Sequence, residues 1–217
     1  MHHTIKALGL RPATSAILRN SMQNALIVIA GVLAVVAIAP YLQDTLRGKT
    51  RPNIITWFTW TLLNALSAAA AFAGHAYQTA VFAAAVTLVT ASVVVFGLRD
   101  GIKKYGVFDY VCQALALVGI VLWQLSGEPA VAMTLSIIAS FIGSLPTYRH
   151  AWRAPHEETW QAFGLDGAAA VVAALSVTQL SYLALAYPVY IALSDVSLVG
   201  VILWRRLRTH PRAALAD

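Results

Sequence analysis

Long apolar stretches separated by short polar segments dominate the chain between residues 24 and 204. Seven are distinguished, numbered here as spans 1 to 7: 24–46, 53–73, 77–98, 107–126, 130–151, 160–178 and 182–204. A bilayer hydrocarbon core of ~30 Å needs about 20 residues of helix, and each stretch supplies roughly that length. Lipid offers the backbone no hydrogen-bond partner, and the apolar positions run continuously instead of alternating with polar ones. The pattern therefore predicts seven transmembrane helices.

Composition agrees with a membrane protein. The chain is 59% hydrophobic and 11% charged, whereas a soluble domain carries about 25% charged residues. Its 217 residues leave no length for a separate soluble enzyme module. The net charge of +6 could indicate nucleic acid, but the basic residues lie at span ends, where membrane topology explains them. We expect the lipid bilayer and a small-molecule substrate as partners, with no nucleic acid, metal or cofactor, and leave a homo-oligomer open.

Basic residues follow every second span. They are Arg47, Lys49 and Arg51; Arg99, Lys103 and Lys104; Arg149 and Arg153; and Arg205, Arg206, Arg208 and Arg212. The alternate loops 74–77, 126–129 and 179–181 contain no Lys or Arg. The positive-inside rule then places the N-terminus outside and the C-terminus in the cytoplasm, in the plasma (cytoplasmic, inner) membrane. Lys6, Arg11 and Arg19 oppose this orientation, but four consistent segments outweigh one short tail.

Two halves of the chain share a layout. Pro40 lies seven residues before Arg47 at the end of span 1, and Pro146 lies seven residues before Arg153 at the end of span 5. A proline inside a helix frees a carbonyl group and bends the helix, so we expect Pro40 and Pro146 to act as hinges. The predicted organisation is an N-terminal tail 1–23, a three-helix bundle 24–98, a linker segment 99–129 containing span 4, a second three-helix bundle 130–205, and a basic tail 206–217. One spacer span between two sets of three makes the halves parallel repeats.

This 3+1+3 layout, with prolines before basic loops, resembles the PQ-loop superfamily, which includes the SWEET sugar transporters. The glutamine that names the motif is absent, because Tyr41 follows Pro40 and Thr147 follows Pro146. The resemblance implies a central substrate site lined by asparagines of spans 3 and 7 and tryptophans of spans 2 and 6. Here Thr90 and Asp195 occupy the asparagine positions. Trp57 and Trp60, or Phe163, stand near the tryptophan positions.

Acidic residues inside the membrane are the strongest candidates from the residues themselves. Asp166 and Asp195 are the only acidic residues well inside the spans, and a charged Asp at a helix centre costs about 2.5–3.5 kcal/mol on insertion scales. Asn64 lies at a depth similar to that of Asp195. Tyr187, followed by Pro188, could shape the external gate. The alternative for each aspartate is a structural hydrogen bond between neighbouring helices, and for Tyr187 it is ordinary helix packing.

The sequence favours a transporter for a small polar metabolite (a sugar, amino acid or vitamin-like compound) working by alternating access, with proton coupling left open. A seven-helix receptor or ligand-binding protein on the same architecture is the alternative. A retinal protein needs a lysine in span 7, and Lys6, Lys49, Lys103 and Lys104 all lie outside the spans. No Ser-His-Asp set, metal cluster or phosphate loop is visible, so we do not expect an enzyme.

The predicted orientation can be tested with one cysteine. In a Cys112→Ala background, Glu128→Cys should react with a membrane-impermeant maleimide added from outside, because the 126–129 loop is expected to be external. A cysteine introduced at Arg208 should react only when the cytoplasmic side is exposed. Labelling of position 128 solely from the cytoplasmic side would reverse the orientation.

Overall fold

The computed structural model describes residues 12–100 and 105–209. Within these residues the chain forms helices and no β-strand. The helices, here α1 to α7, are Pro12–Leu46, Ile54–Ala73, Tyr77–Asp100, Val107–Ser126, Pro129–Arg153, Trp160–Ser176 and Tyr182–Thr209, with a 3₁₀ turn at Pro155–Glu157 before α6. The all-helical fold and all seven elements therefore match the prediction.

Helix starts agree with the predicted spans to within one residue, except in α1. That helix begins at Pro12, so residues 12–23, which were assigned to the N-terminal tail, are helical. Proline is well tolerated in the first helical turn, where its missing N–H has no intrahelical partner and its φ angle is already suitable. Residues 1–11, which include His2, His3 and Lys6, lie outside the described residues.

Five of the helices are long and apolar enough to cross a membrane: segments Leu18–Leu46, Ile54–Ala73, Tyr77–Leu98, Pro129–Arg153 and Tyr182–Thr209. Helices α4 and α6 are not in this set, and α6 has 17 residues. Large apolar side chains cover the outside, such as Val32 (56% exposed) and Leu88 (71% exposed). Such a surface fits contact with lipid, as in a membrane protein, and seven spans remain a prediction.

Connections meet at two ends of the bundle. At one end, Arg206 Nε donates to Pro155 O at 2.9 Å and Arg51 N donates to Glu157 O at 3.4 Å. We call this the basic end, because the described segments after α1 and α5 and the end of α7 carry their arginines there. At the opposite end, Thr79 Oγ1 donates to Ala184 O at 2.6 Å. The alternation agrees with helices that run up and down in turn.

Helix packing follows a recurring order. Helix α3 packs between α1 and α2, and α7 packs between α5 and α6. Further contacts join α1 to α6 and α2 to α5, while α4 packs mainly on α5. Small residues form the α1–α6 seam, since Ala34 and Ala170 are both 0% exposed. Small side chains allow helix backbones to approach closely, which is how helices associate in lipid.

Gly97 provides a test of this packing at the basic end. A methyl group at position 97 would lie 2.6 Å from Ile54 Cδ1 and 2.9 Å from Pro52 Cγ. Gly97→Ala should therefore destabilise the protein by about 1–3 kcal/mol through overpacking, seen as a lower melting temperature in detergent. Gly200→Ala, where a methyl group meets nothing within 4 Å, is the matched control and should not lower it. Equal melting temperatures would show that the α2–α3 contact is looser than described.

Candidate functional site

A cavity of about 60 Å³ lies in the middle of the bundle. Six helices contribute to its wall, all except α4. The wall is largely apolar, and its polar side chains are Asn64, Thr90, Ser140, Asp166, Ser194 and Asp195, with Trp57, Trp60 and Tyr190 adding polar aromatic groups. A concave, mostly apolar cavity with a few convergent polar groups is the usual form of a small-molecule site.

Seven of the eight residues expected to bind substrate line this cavity: Trp57, Trp60, Asn64, Thr90, Phe163, Asp166 and Asp195. The eighth, Tyr187, is not in the wall. It lies directly behind it, because its hydroxyl group donates to Asn64 Oδ1 at 3.1 Å. The structure thus brings together residues from four helices, and their role in binding stays a prediction.

Asp166 and Asp195 approach each other across the α6–α7 contact. Their carboxyl groups lie within hydrogen-bonding reach of one another. One oxygen atom of each, Asp166 Oδ1 and Asp195 Oδ2, is buried and has no hydrogen-bond partner in the described protein. Buried polar atoms are nearly always hydrogen-bonded, so two unpartnered carboxyl oxygens at a cavity mark a functional site more readily than a structural seam. No group of three metal-ligating side chains forms among the described residues.

Aromatic rings close the cavity towards the basic end. Tyr41, Trp57 and Phe163, here the basic-side plug, pack with ring centroids 4.8 Å apart for Tyr41–Trp57 and 6.0 Å apart for Tyr41–Phe163. Trp57 Nε1 donates to the Tyr41 hydroxyl oxygen at 3.2 Å, and Tyr41 is 0% exposed. The plug joins α1, α2 and α6 through these contacts.

A second closure lies towards the opposite end. Phe82 and Tyr187 meet edge to face with centroids 6.0 Å apart, and Met133 is buried in the same apolar cluster. These three residues, here the opposite-side plug, are each at most 1% exposed. Packed aromatic residues therefore lie on both sides of the cavity.

Beyond the basic-side plug, polar side chains tie the connections of the two halves together. We call Asp44, Thr50, Glu158, Thr159 and Arg206 the basic-end clasp. The Thr50 and Thr159 hydroxyl oxygens lie 2.6 Å apart, and Thr159 Oγ1 donates to Asp44 Oδ2 at 3.1 Å. Arg206 donates to the backbone carbonyl of Glu158 at 2.6 Å. Each contact joins residues more than 40 positions apart in sequence.

Glu158 is the unusual member of the clasp. Its side chain is 3% exposed, and its Oε2 atom has no hydrogen-bond partner. Burial raises the pKa of Glu158 from 4.5 to about 8; the neighbouring Glu157 adds to the rise and Arg206 opposes it. The closed clasp therefore favours the neutral carboxyl group.

Sequence reasoning missed several residues of the site. Ser140, Tyr190 and Ser194 also line the cavity. Tyr190 and Ser194 are four residues apart and share a face of α7, and both lie within five residues of Asp195, which was the signal that could have identified them. Ser140 on α5 has no predicted substrate-binding residue near it on its own helix. Pro40 and Pro146 lie inside α1 and α5 but do not line the cavity, so their part as hinges is untested.

No family model matches the chain, and comparisons with curated proteins and with solved structures found no match. The assignment of a function therefore depends on the cavity, its closures and the residues in them.

Glu158 predicts a pH dependence with a definite sign. Because its pKa in the closed structure is raised to about 8, its stabilising effect is complete below about pH 4.5 and is lost as the pH rises through about 8. The melting temperature in detergent should fall over that range. The melting temperature of Glu158→Gln should fall less over the same range. Above pH 8 it should be higher than that of the parent protein, because glutamine resembles the neutral carboxyl group.

Glu128→Gln, at an exposed loop on the opposite end, is the matched control and should follow the parent. If the melting temperatures of the parent and Glu158→Gln change in parallel with pH, the assignment of a neutral Glu158 to the closed clasp is contradicted.

Proposed function

We propose that this chain is a multi-pass membrane transporter that moves a small polar metabolite by alternating access. The observation that carries the proposal is the central cavity, which is lined by both halves of the chain and lies between two packed aromatic clusters. A site between two such clusters suits a carrier that opens one side at a time, whereas a receptor needs no second closure.

The proposal includes a 3+1+3 arrangement of two repeats joined by α4, as in the PQ-loop superfamily. Packing order supports it, because α1, α2 and α3 contact one another in the same order as α5, α6 and α7. Starts of equivalent helices support it too: Tyr77 and Tyr182 begin α3 and α7, 105 residues apart, and Ile54 and Trp160 begin α2 and α6, 106 residues apart.

The cavity wall follows the same spacing. Two pairs of wall residues are 106 positions apart: Trp57 with Phe163, and Trp60 with Asp166. Three further pairs are 105 positions apart: Val86 with Ile191, Val89 with Ser194, and Thr90 with Asp195. Equivalent residues also meet in the plugs, since Trp57 stacks on Phe163 with centroids 6.4 Å apart and Phe82 contacts Tyr187. Contacts between equivalent residues are expected along a pseudo-twofold axis, and these support a site on that axis.

In the proposed cycle one closure opens while the other stays closed. Opening the basic end requires the clasp to separate and the basic-side plug to part, and both join one half to the other. Pro40 lies on α1 one residue before Tyr41 of the plug, so a bend there would move the Tyr41 ring. Pro146 holds the corresponding place on α5. The basic end is assigned to the cytoplasm by the positive-inside rule.

A reversible cross-link tests the cycle. Thr50 and Thr159 lie in different halves, are each 2% exposed, and have hydroxyl oxygens 2.6 Å apart, so cysteines at both positions should form a disulfide without backbone movement. The protein, with Cys112→Ala, is reconstituted into liposomes and screened for uptake of labelled sugars, amino acids and vitamins. Oxidation of the double-cysteine variant should abolish uptake, and dithiothreitol should restore it.

The single variants Thr50→Cys and Thr159→Cys are the controls and should be insensitive to oxidant. Uptake that continues at the parental rate in the fully cross-linked protein would overturn alternating access through the basic end. Ligand binding without uptake of any solute would point to a binding protein instead.

A further inference from the structure

The charge of the cavity wall is one-sided. Among the described residues that line it, two are acidic, Asp166 and Asp195, and none is Lys, Arg or His. Asp195 is 9% exposed, and both aspartates line the cavity. Their buried atoms Asp195 Oδ2 and Asp166 Oδ1 receive no hydrogen bond from any other described residue. A buried carboxylate is stable only when it is paired or hydrogen-bonded, so the wall lacks the positive partner that it would need.

Helix packing forces the two carboxyl groups together. A methyl group at Gly167 would lie 3.3 Å from Asp195 Cβ, which shows how closely α6 approaches α7 beside Asp166. Two carboxylates in one site repel each other, and one of them then keeps its proton unless a cation is present. The other titratable side chains facing this pair are tyrosines: Tyr187 and Tyr190 on α7.

The elements around the pair supply no cation either. Tyr148 of α5 lies near Tyr190. The lining residues of α1, α2 and α3, as far as the structure describes them, carry no ionisable group. The nearest described arginines belong to the basic end, beyond the plug. No described side chain of the wall therefore supplies a counter-charge inside the cavity.

The two tryptophans of the wall have no free N–H donor. Trp57 Nε1 is bonded to Tyr41, and Trp60 Nε1 donates to Ser140 O at 3.3 Å, so both indole N–H groups are occupied. The two indole rings stand nearly perpendicular, with centroids 5.1 Å apart. The face of an indole ring is electron-rich and attracts cations, and guanidinium groups also stack on it.

We propose that the cavity binds a small organic monocation of the guanidinium or ammonium type, in exchange for a proton of the Asp166–Asp195 pair. The empty pair holds one carboxylate and one neutral carboxyl group. When the cation enters, the O–H bond of the neutral group breaks and the proton leaves to water, so the occupied site holds one cation and two carboxylates. The net charge inside the membrane is unchanged. This names the substrate class of the transporter proposed above and rests on that function for its role in transport, but not for binding.

Guanidinium and urea form a matched pair of probes, because they are planar and similar in shape and differ in charge. Binding of each is measured by calorimetry on the detergent-purified full chain at pH 7 and constant ionic strength, in two buffers of different ionisation enthalpy. Guanidinium should bind at least about tenfold more tightly than urea, a difference of about 1.4 kcal/mol. The buffer dependence should report about one proton released for each cation bound.

Variants locate the binding. Asp166→Asn and Asp195→Asn should each weaken guanidinium binding by about tenfold or more and remove the proton release, since a buried charged pair is worth more than an exposed one. Trp60→Leu should weaken it by about threefold or more through loss of the ring face. Glu128→Gln, at the exposed loop, is the matched acidic control and should bind as the parent does. Melting temperature and gel filtration show whether each variant is folded. If one Asp variant does not fold, the remaining Asp variant and Trp60→Leu provide the test.

Equal affinity for urea and guanidinium, or parental affinity in both Asp variants, would overturn the proposal. Failure of the transport function gives a different result. If guanidinium binds with proton release but no solute crosses the liposome membrane, the ligand class stands and transport fails. If a neutral solute is carried and guanidinium does not bind, transport stands and the ligand class fails.

Discussion

Close contact between small side chains is the constraint on which this bundle depends. Lipid tails are as apolar as leucine, so helices in a bilayer gain little from burying large apolar residues and associate where their backbones can approach closely. Ala30, Ala34, Ala169 and Ala170 provide that approach between α1 and α6, all of them 0% exposed. The central cavity lies farther along the bundle, where Ala37 of α1 and Ala162 of α6 line its wall together with Trp60 of α2.

The same close approach gives the cavity its electrostatic character. Gly167 lets α6 lie against Asp195 of α7, and this contact places Asp166 beside it. In a low dielectric, two neighbouring carboxyl groups interact strongly with each other and with any cation that enters. The chemistry of the site therefore follows from a packing detail, the absence of one methyl group.

Both plugs and the clasp contain residues from both halves of the chain. Tyr41 and Trp57 meet Phe163, and Phe82 meets Tyr187. A relative rotation of the halves would open one plug while it compressed the other, because well-packed interfaces tend to have discrete arrangements and do not deform continuously. Glu158 adds a pH-sensitive contact to one of these closures.

The sequence alone determined the seven helices, with starts that agree to within one residue in six of them. These features are local: apolar length, backbone hydrogen bonding and helical rise decide them. The start of α1 was predicted twelve residues too late. The helix extends towards the N-terminus beyond the apolar stretch, through polar residues around Arg19 that carry no apolar signal. Trp60 and Asp166 were predicted from depth and from their equivalent places in the two halves, and both line the cavity.

Tertiary structure decided which faces meet. Ser140 lines the cavity, Tyr41 blocks it, and Glu158 is buried at the basic end, yet none of the three differs in its local sequence from an ordinary surface position. Rotation of each helix about its axis depends on contacts with its neighbours, and those contacts join residues that are far apart in the chain, such as Thr50 and Thr159. The pairing of Asp166 with Asp195 is of the same kind. Sequence placed both aspartates in the membrane, and only the packing of α6 on α7 brought their carboxyl groups together.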